Sequence, residues 1–282
     1  MRGAASTMEV LRPASAAEAV ALYARRPDAL VLAGGTDLMV HWNMGALNGR
    51  TVIDLSLARE LRPIRVSTEA ARFGATATHA EIQEHPVVAK RLPLLAQACA
   101  TIGAAQIQNR GTLGGNVANA SPAGDTFPPL AVYDTTVHLL SSRGRRSLPF
   151  LEVFAGVKRT NLAPGELISS IEVAWPEKPA RQLFRKVGTR AAQAISKVAA
   201  AGLLWLEKGK VRELRFALGS VAPTVRRLRT VESFLREKRL TPAVIEEAAG
   251  LVEMDISPID DLRSTRAYRL QVSRNLLRSF LS

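Results

Sequence analysis

Cysteine is almost missing from this chain: Cys99 is the only one in 282 residues. A lone thiol cannot close an intrachain disulfide, nor can it ligate a zinc ion or an iron–sulfur cluster by itself. Any redox metal that serves the protein therefore belongs to another polypeptide. Long apolar runs are missing too. A membrane-spanning helix needs roughly 20 such residues, whereas Val198–Leu206 is among the longest and is followed by charge. Residues 1–7 hold one arginine and no apolar stretch, so no secretory signal is expected and a cytoplasmic location follows. Histidine is scarce: His41, His79, His85 and His138 lack the spacing of a metal set. No serine or cysteine stands in a recognisable nucleophile pattern with histidine and an acid.

Acidic residues are the remaining deficit, 25 against 38 lysines and arginines, for a net charge of +13. Such an excess can serve nucleic acid. Here the charges are scattered, as in Arg25-Arg26, Arg143–Arg146, Arg226–Arg229 and Arg236–Arg239, with no aromatic-interleaved basic run. Solvated faces or acidic partner subunits account for them better. Arg143–Arg146 reads as a hairpin tip between the apolar runs Val137–Leu140 and Leu148–Phe154.

With 47% apolar residues, the chain can bury one large core or two ordinary ones. Ser15, three residues before Glu18, opens a helix over 16–26 by the capping-box pattern. The run 29–33 reads as a strand, followed by a Gly34-Gly35 turn and a helix starting near Leu38. Thr51–Asp54 and Ala71–Ala75 are expected strands; Thr78–Gln83 and Pro93–Ile102 are expected helices, the latter with Cys99 on its apolar face. Gln106–Pro129 has no apolar periodicity and reads as one long ordered loop, which usually has a function. Leu130–Tyr133, Thr136–Leu140 and Leu167–Ala174 are expected strands. Trp175–Pro179 resembles a linker. Beyond it come a hairpin around Lys208-Gly209-Lys210 and amphipathic helices over 241–252 and 264–281. By pattern alone, Lys186 and Arg190 are surface charges and His79 is a packing residue.

Two glycine-rich turns, Leu32–Leu38 and Thr112–Asn116, carry the strongest chemical signal. Successive glycines let backbone N–H groups point one way, and such amides beside a helix start suit a pyrophosphate. Neither turn fits the Rossmann or P-loop spacing. On this reading a side chain at Gly34 or Gly114 blocks the ligand and spares the fold.

In order along the chain, AGGTDL (33–38), TLGGN (112–116) with NASPAGD (119–125), KVGTRA (186–191), GSVAP (219–223) and DDLRSTRAY (260–268) resemble the FAD-binding medium subunit of the xanthine dehydrogenase and carbon monoxide dehydrogenase family of molybdenum hydroxylases. The resemblance implies an α+β chain: a two-subdomain FAD-binding domain of the p-cresol methylhydroxylase (PCMH) type, about 1–57 and 58–177, and a C-terminal domain, 178–282, of a three-stranded sheet with helices. It implies noncovalent FAD bound by Leu32, Ala33, Gly34, Gly35, Thr36, Asp37 and Leu38, and by Gly111, Thr112, Gly114, Gly115 and Asn116. Asp125 is expected to bond the sugar or adenine side, Ile102 to pack on the ring system, and Leu167 and Lys186 to approach the cofactor. No catalytic or metal-binding residue is expected here. A large partner subunit holds the molybdenum cofactor and a small one holds two [2Fe–2S] clusters, with a dimer of heterotrimers as the expected assembly. Electrons reach FAD from the clusters and leave to NAD, a quinone or O2. No four-cysteine insertion for a further cluster is visible. Two other readings stand beside this one: a self-sufficient FAD oxidoreductase with its own substrate, and a basic nucleotide- or RNA-binding module.

Overall fold

The computed structural model describes residues 7–282. The reading of residues 1–7 as free of a secretory signal falls, Thr7 apart, outside that stretch. The first layered unit comprises β1 (Glu9–Leu11), α1 (Ala16–Arg25), β2 (Leu30–Leu32), α2 (Leu38–Asn43) and β3 (Thr51–Asp54). Its strands run parallel in the order β1-β3-β2. Parallel neighbours need crossover segments; the segment carrying α2 joins the neighbours β2 and β3, while α1 carries the chain from one edge strand to the other. Ser15 Oγ accepts the Glu18 N–H at 3.1 Å, as the sequence predicts, and α1 buries Ala16, Ala19 and Val20 against Ile53 and Leu55.

The second unit contains β4 (Ile64–Val66), β5 (Ala70–Gly74), α3 (His79–Glu84), α4 (Pro86–Arg91), α5 (Pro93–Ala100), α6 (Ala105–Gln108), α7 (Leu113–Asn119), α8 (Phe127–Val132), β6 (Thr135–Ser141), β7 (Gly144–Pro149), β8 (Phe154–Gly156), β9 (Arg159–Thr160) and β10 (Leu167–Ala174). Five of the strands form an antiparallel sheet in the order β4-β5-β10-β6-β7. Thr78 and Glu81 close a reciprocal capping box at the start of α3. The β6–β7 hairpin turns at Arg143, as expected.

Two sequence expectations fail in this unit. Leu130–Tyr133 is not a strand; its first three residues end α8. Pro128 and Pro129 sit in the first turn, where a missing N–H costs nothing. Every residue of α8 is buried, so no amphipathic period betrays the helix. Nor is Gln106–Pro129 a single loop, since it holds most of α6, all of α7 and the start of α8.

The third unit runs through β11 (Arg181–Val187), β12 (Val198–Glu207), β13 (Lys210–Gly219), β14 (Arg226–Arg227), α9 (Arg229–Leu235), α10 (Pro242–Leu251) and α11 (Arg266–Leu281). Three long antiparallel strands carry the sheet, and the two-residue β14 extends its edge. Lys208 and Gly209 turn the β12–β13 hairpin with φ of +50° and +76°, the left-handed pair such a two-residue turn requires. Val198, Ala200, Leu204 and Phe216 face the helices. Ala201, Leu203, Trp205 and Ala217 instead join the core of the second unit, where α8 packs against β12 and β13.

Candidate cofactor site

A cleft of about 610 Å³ opens between the first and second units. Its volume lies within the range of small-molecule and cofactor sites. β2 delivers one wall through the 32–38 turn, and the segment from Gly111 into α7 delivers the other. The two walls touch. A Cβ built on Gly34 would stand 1.9 Å from the Arg110 carbonyl oxygen, and one on Gly114 would stand 2.5 Å from the Ala75 oxygen. These two glycines therefore allow backbone to meet backbone, which corrects the expectation that a side chain there would only block a ligand. Gly35 adopts φ +76°, where a side chain is strained.

The backbone donors divide unequally between the turns. At the second turn Leu113 N donates to Ala77 O and Gly114 N to Ala75 O, both at 3.0 Å; Asn116 N donates to Thr112 O at 2.9 Å. Thr112 Oγ1, the N-cap of α7, takes the Gly115 N–H at 3.1 Å. At the first turn, among the described residues, the N–H groups of Gly34, Gly35, Thr36 and Asp37 have no acceptor in the chain. Unpaired amides in succession are the donor set an anionic group needs. Asn116 adds its side chain, whose Oδ1 accepts from Thr126 Oγ1 at 2.6 Å and so leaves the amide NH2 as a donor.

Of the residues expected to hold a cofactor, all those of 32–38, together with Ile102, Gly111, Thr112, Gly114, Gly115, Asn116 and Leu167, line this cleft. Asp125 and Lys186 do not. They form a buried ion pair at 2.6 Å, each side chain 9% exposed, in which Lys186 Nζ also donates to Thr101 O at 2.8 Å and Ser196 Oγ donates to Asp125. Burial pushes the Asp125 carboxyl above its ordinary range, against the pull of Lys186 and Ser196. Lys186 reaches the cleft wall through Thr101, the residue before Ile102. Reading Lys186 as a surface charge was wrong because its stem runs through the contact between β11 and the end of α5.

Sequence reasoning missed several lining residues. His79 stands in the floor, its Nδ1 3.6 Å from Cys99 Sγ, and burial holds the imidazole down to about pKa 4. Glu166 lines the cleft with its carboxylate bound by Arg146 at 2.6 and 2.7 Å, and that guanidinium holds it below the usual carboxylate range. Among the described residues the lining contains no lysine or arginine. Lys158 stands just outside it, donating to Asn119 at 2.6 Å and reaching Asp37 at 3.5 Å across the two walls. The Pro164-Gly165 turn before Glu166 was the available signal for that wall.

An elongated dinucleotide with a pyrophosphate and a flat apolar ring fits these features. The unpaired amides suit the diphosphate, and Ile102 and Leu167 offer apolar surface. The comparisons with known proteins agree. Residues 6–176 match the family model for the FAD-binding domain in molybdopterin dehydrogenase, and residues 183–282 match the CO dehydrogenase flavoprotein C-terminal domain. The carbon monoxide dehydrogenase medium chain of Hydrogenophaga pseudoflava is 31% identical over 280 residues, covering 96% of this chain and 94% of the relative. The glyceraldehyde dehydrogenase medium chain of Sulfolobus acidocaldarius is 30% identical over 267 residues, covering 94% of each. A solved carbon monoxide dehydrogenase from Hydrogenophaga pseudoflava superposes with a TM-score of 0.92 at 29% identity over 97% of this chain and 96% of that one. Quinoline 2-oxidoreductase from Pseudomonas putida 86 gives 0.91 at 28% identity, over 100% of this chain and 97% of that one. With both of its halves matched in order and the cleft built from the expected turns, the chain belongs to the FAD-binding medium subunits of the molybdenum hydroxylase family.

Proposed function

We propose that FAD lies in the cleft with its pyrophosphate over the amides of Gly34–Asp37, and that the chain is the electron-transfer subunit of a larger enzyme. The run of unpaired N–H groups is the observation that carries this reading. Thr112, Gly115 and Asn116 form the opposite wall, Gly34 and Gly111 let that wall approach the first turn, Gly114 lets α7 close against Ala75, and Leu32, Ala33 and Leu38 continue the cleft on either side. Ile102 and Leu167 pack on the ring system, while Asp125 and Lys186 act on it through Thr101, the residue before Ile102. FAD bound there would supply the exchange between single-electron donors and an external acceptor, which is NAD, a quinone or O2. The chain's own part is to orient the cofactor, limit water on its buried side and fix the charges around it.

The donors on this reading are two [2Fe–2S] clusters of a small partner subunit, and a large partner holds the molybdenum cofactor, in a cytoplasmic dimer of heterotrimers. The domain limits that go with it are 1–57, 58–177 and 178–282. A self-sufficient oxidoreductase would need an acid or base poised over the ring. The acidic and imidazole side chains of the lining argue against one: Glu166 is tied to Arg146, burial keeps His79 neutral and it is turned to Cys99, and Asp37 faces His41 and Lys158. No described helix is long and apolar enough to cross a membrane. Purification of the tagged chain from its native cells tests the reading. FAD, iron and molybdenum in fixed ratio with two further polypeptides support it; substrate oxidation by the isolated chain overturns it.

A further inference from the structure

The cleft leaves unused three stretches of the C-terminal third: the segment after Lys186, GSVAP (219–223) and DDLRSTRAY (260–268). They converge on one side chain. Arg269, in the first turn of α11, is 3% exposed. Its Nη1 donates to Lys197 O and Ser220 O, and its Nη2 to Asp261 Oδ1, each at 2.7 Å. Asp261 is itself fixed, because the same oxygen accepts the N–H groups of Arg263 at 2.9 Å and Ser264 at 3.0 Å.

Both carbonyls held by Arg269 lead back to Asp125. Lys197 follows Ser196, a residue 1% exposed whose hydroxyl donates to Asp125 Oδ1. Ser220, at φ +65°, donates its N–H to Pro122 O at 2.9 Å, three residues before Asp125. Asp125 Oδ2 then holds Lys186, and Lys186 holds the Thr101 carbonyl beside Ile102 in the cleft wall. A polar chain thus runs from α11 through the interior to the cleft. An apolar contact would join the units at least as well, since buried ion pairs add little net stability. What the polar chain adds is a fixed place for charge.

We infer that Arg269 and Ser196 are positioning residues for the Asp125–Lys186 pair, and that through them the C-terminal domain sets the charge presented at the Ile102 end of the flavin cleft. The inference rests on that cleft's being the FAD site. Arg269 fixes the two backbones, and the Ser196 hydroxyl joins Lys186 in opposing the upward push of burial on the Asp125 carboxyl. Lys186 is the charged side chain bonded to Asp125; Arg269 and Asp261 stand behind Ser196. Without the Ser196 hydroxyl, Asp125 keeps one partner and leans toward its protonated form. The Lys186 ammonium is then less neutralised, and extra positive charge beside the cleft favours the electron-richer reduced flavin.

The test uses the full chain loaded with FAD. Redox titration of Ser196→Ala should show reduced FAD gaining affinity relative to oxidised FAD by a factor on the order of ten, read as a raised midpoint potential. Ser196→Thr should restore the wild-type value. In an Asp125→Asn background Ser196→Ala should be silent. Arg269→Lys, which keeps the charge and loses the fork, should shift the potential in the same direction. A Ser196→Ala protein that binds FAD with an unchanged potential, or effects that simply add to those of Asp125→Asn, would overturn the inference and leave the FAD site standing. A wild-type chain that takes up no FAD overturns the site and the inference together.

Discussion

Replacing Gly34 by alanine adds one carbon at the point where the two cleft walls touch. That carbon would sit 1.9 Å from the Arg110 carbonyl oxygen and 3.0 Å from Gly111 Cα, against 3.4 Å for ordinary contact, so the walls must part by about 1.5 Å. Backbone cannot rotate aside as a side chain can. The amides of Gly34–Asp37 move with the turn, and a charge-assisted hydrogen bond lengthened by an ångström is largely lost. Loss of one such bond costs about 1.5–3 kcal/mol, or roughly 10- to 150-fold in FAD affinity, and loss of a second multiplies that. Fluorescence titration of apoprotein measures that loss, and thermal unfolding without FAD measures the accompanying strain, which should be evident. Gly250→Ala, with nothing within 4 Å of the new carbon, is the control and should match wild type in FAD binding. A Gly34→Ala protein with wild-type FAD affinity and wild-type melting would refute the geometry.

Two further outcomes follow from buried charge. His79 has its pKa lowered from 6.5 to about 4 by burial, so the unfolded chain takes up a proton before the folded one does. Stability should fall by up to about 3 kcal/mol as pH drops from 6.5 toward 4, and urea unfolding of His79→Gln should show a flatter dependence over that window; equal slopes would contradict the assignment. Lys186→Met leaves the Asp125 carboxyl buried beside a thioether and should cost about 3–5 kcal/mol in denaturant unfolding. The double variant Asp125→Leu with Lys186→Met should recover most of that loss, and no recovery would mean the pair is not isolated from its surroundings.

Where local chemistry decided the structure, the sequence was readable. Ser15 begins α1 as its spacing to Glu18 requires, Thr78–Gln83 falls on α3 and its cap, and Lys208-Gly209 turns the β12–β13 hairpin. The glycine turns also marked the two stretches that line the cleft, but not that Gly34 and Gly114 serve contact between backbones. They did not announce which turn keeps free amides, because that depends on Ala75 and Ala77 arriving as acceptors from 38 residues or so up the chain. α8 was hidden by being buried on every side, and α7 by glycines at its second and third positions, which weaken helix propensity. Lys186, Arg227 and Arg269 were unreadable as interior residues. Their partners Asp125, Glu232 and Asp261 stand 61, 5 and 8 residues away, and a charge is taken for a surface group until its partner is known.

The central claim is that the cleft between the two glycine turns holds one noncovalent FAD. Absorbance of the purified chain before and after heat release of cofactor, with titration of the apoprotein by FAD, tests it directly. The account predicts saturation at one FAD per chain with all the flavin released on denaturation; a chain that neither carries nor takes up FAD would contradict it.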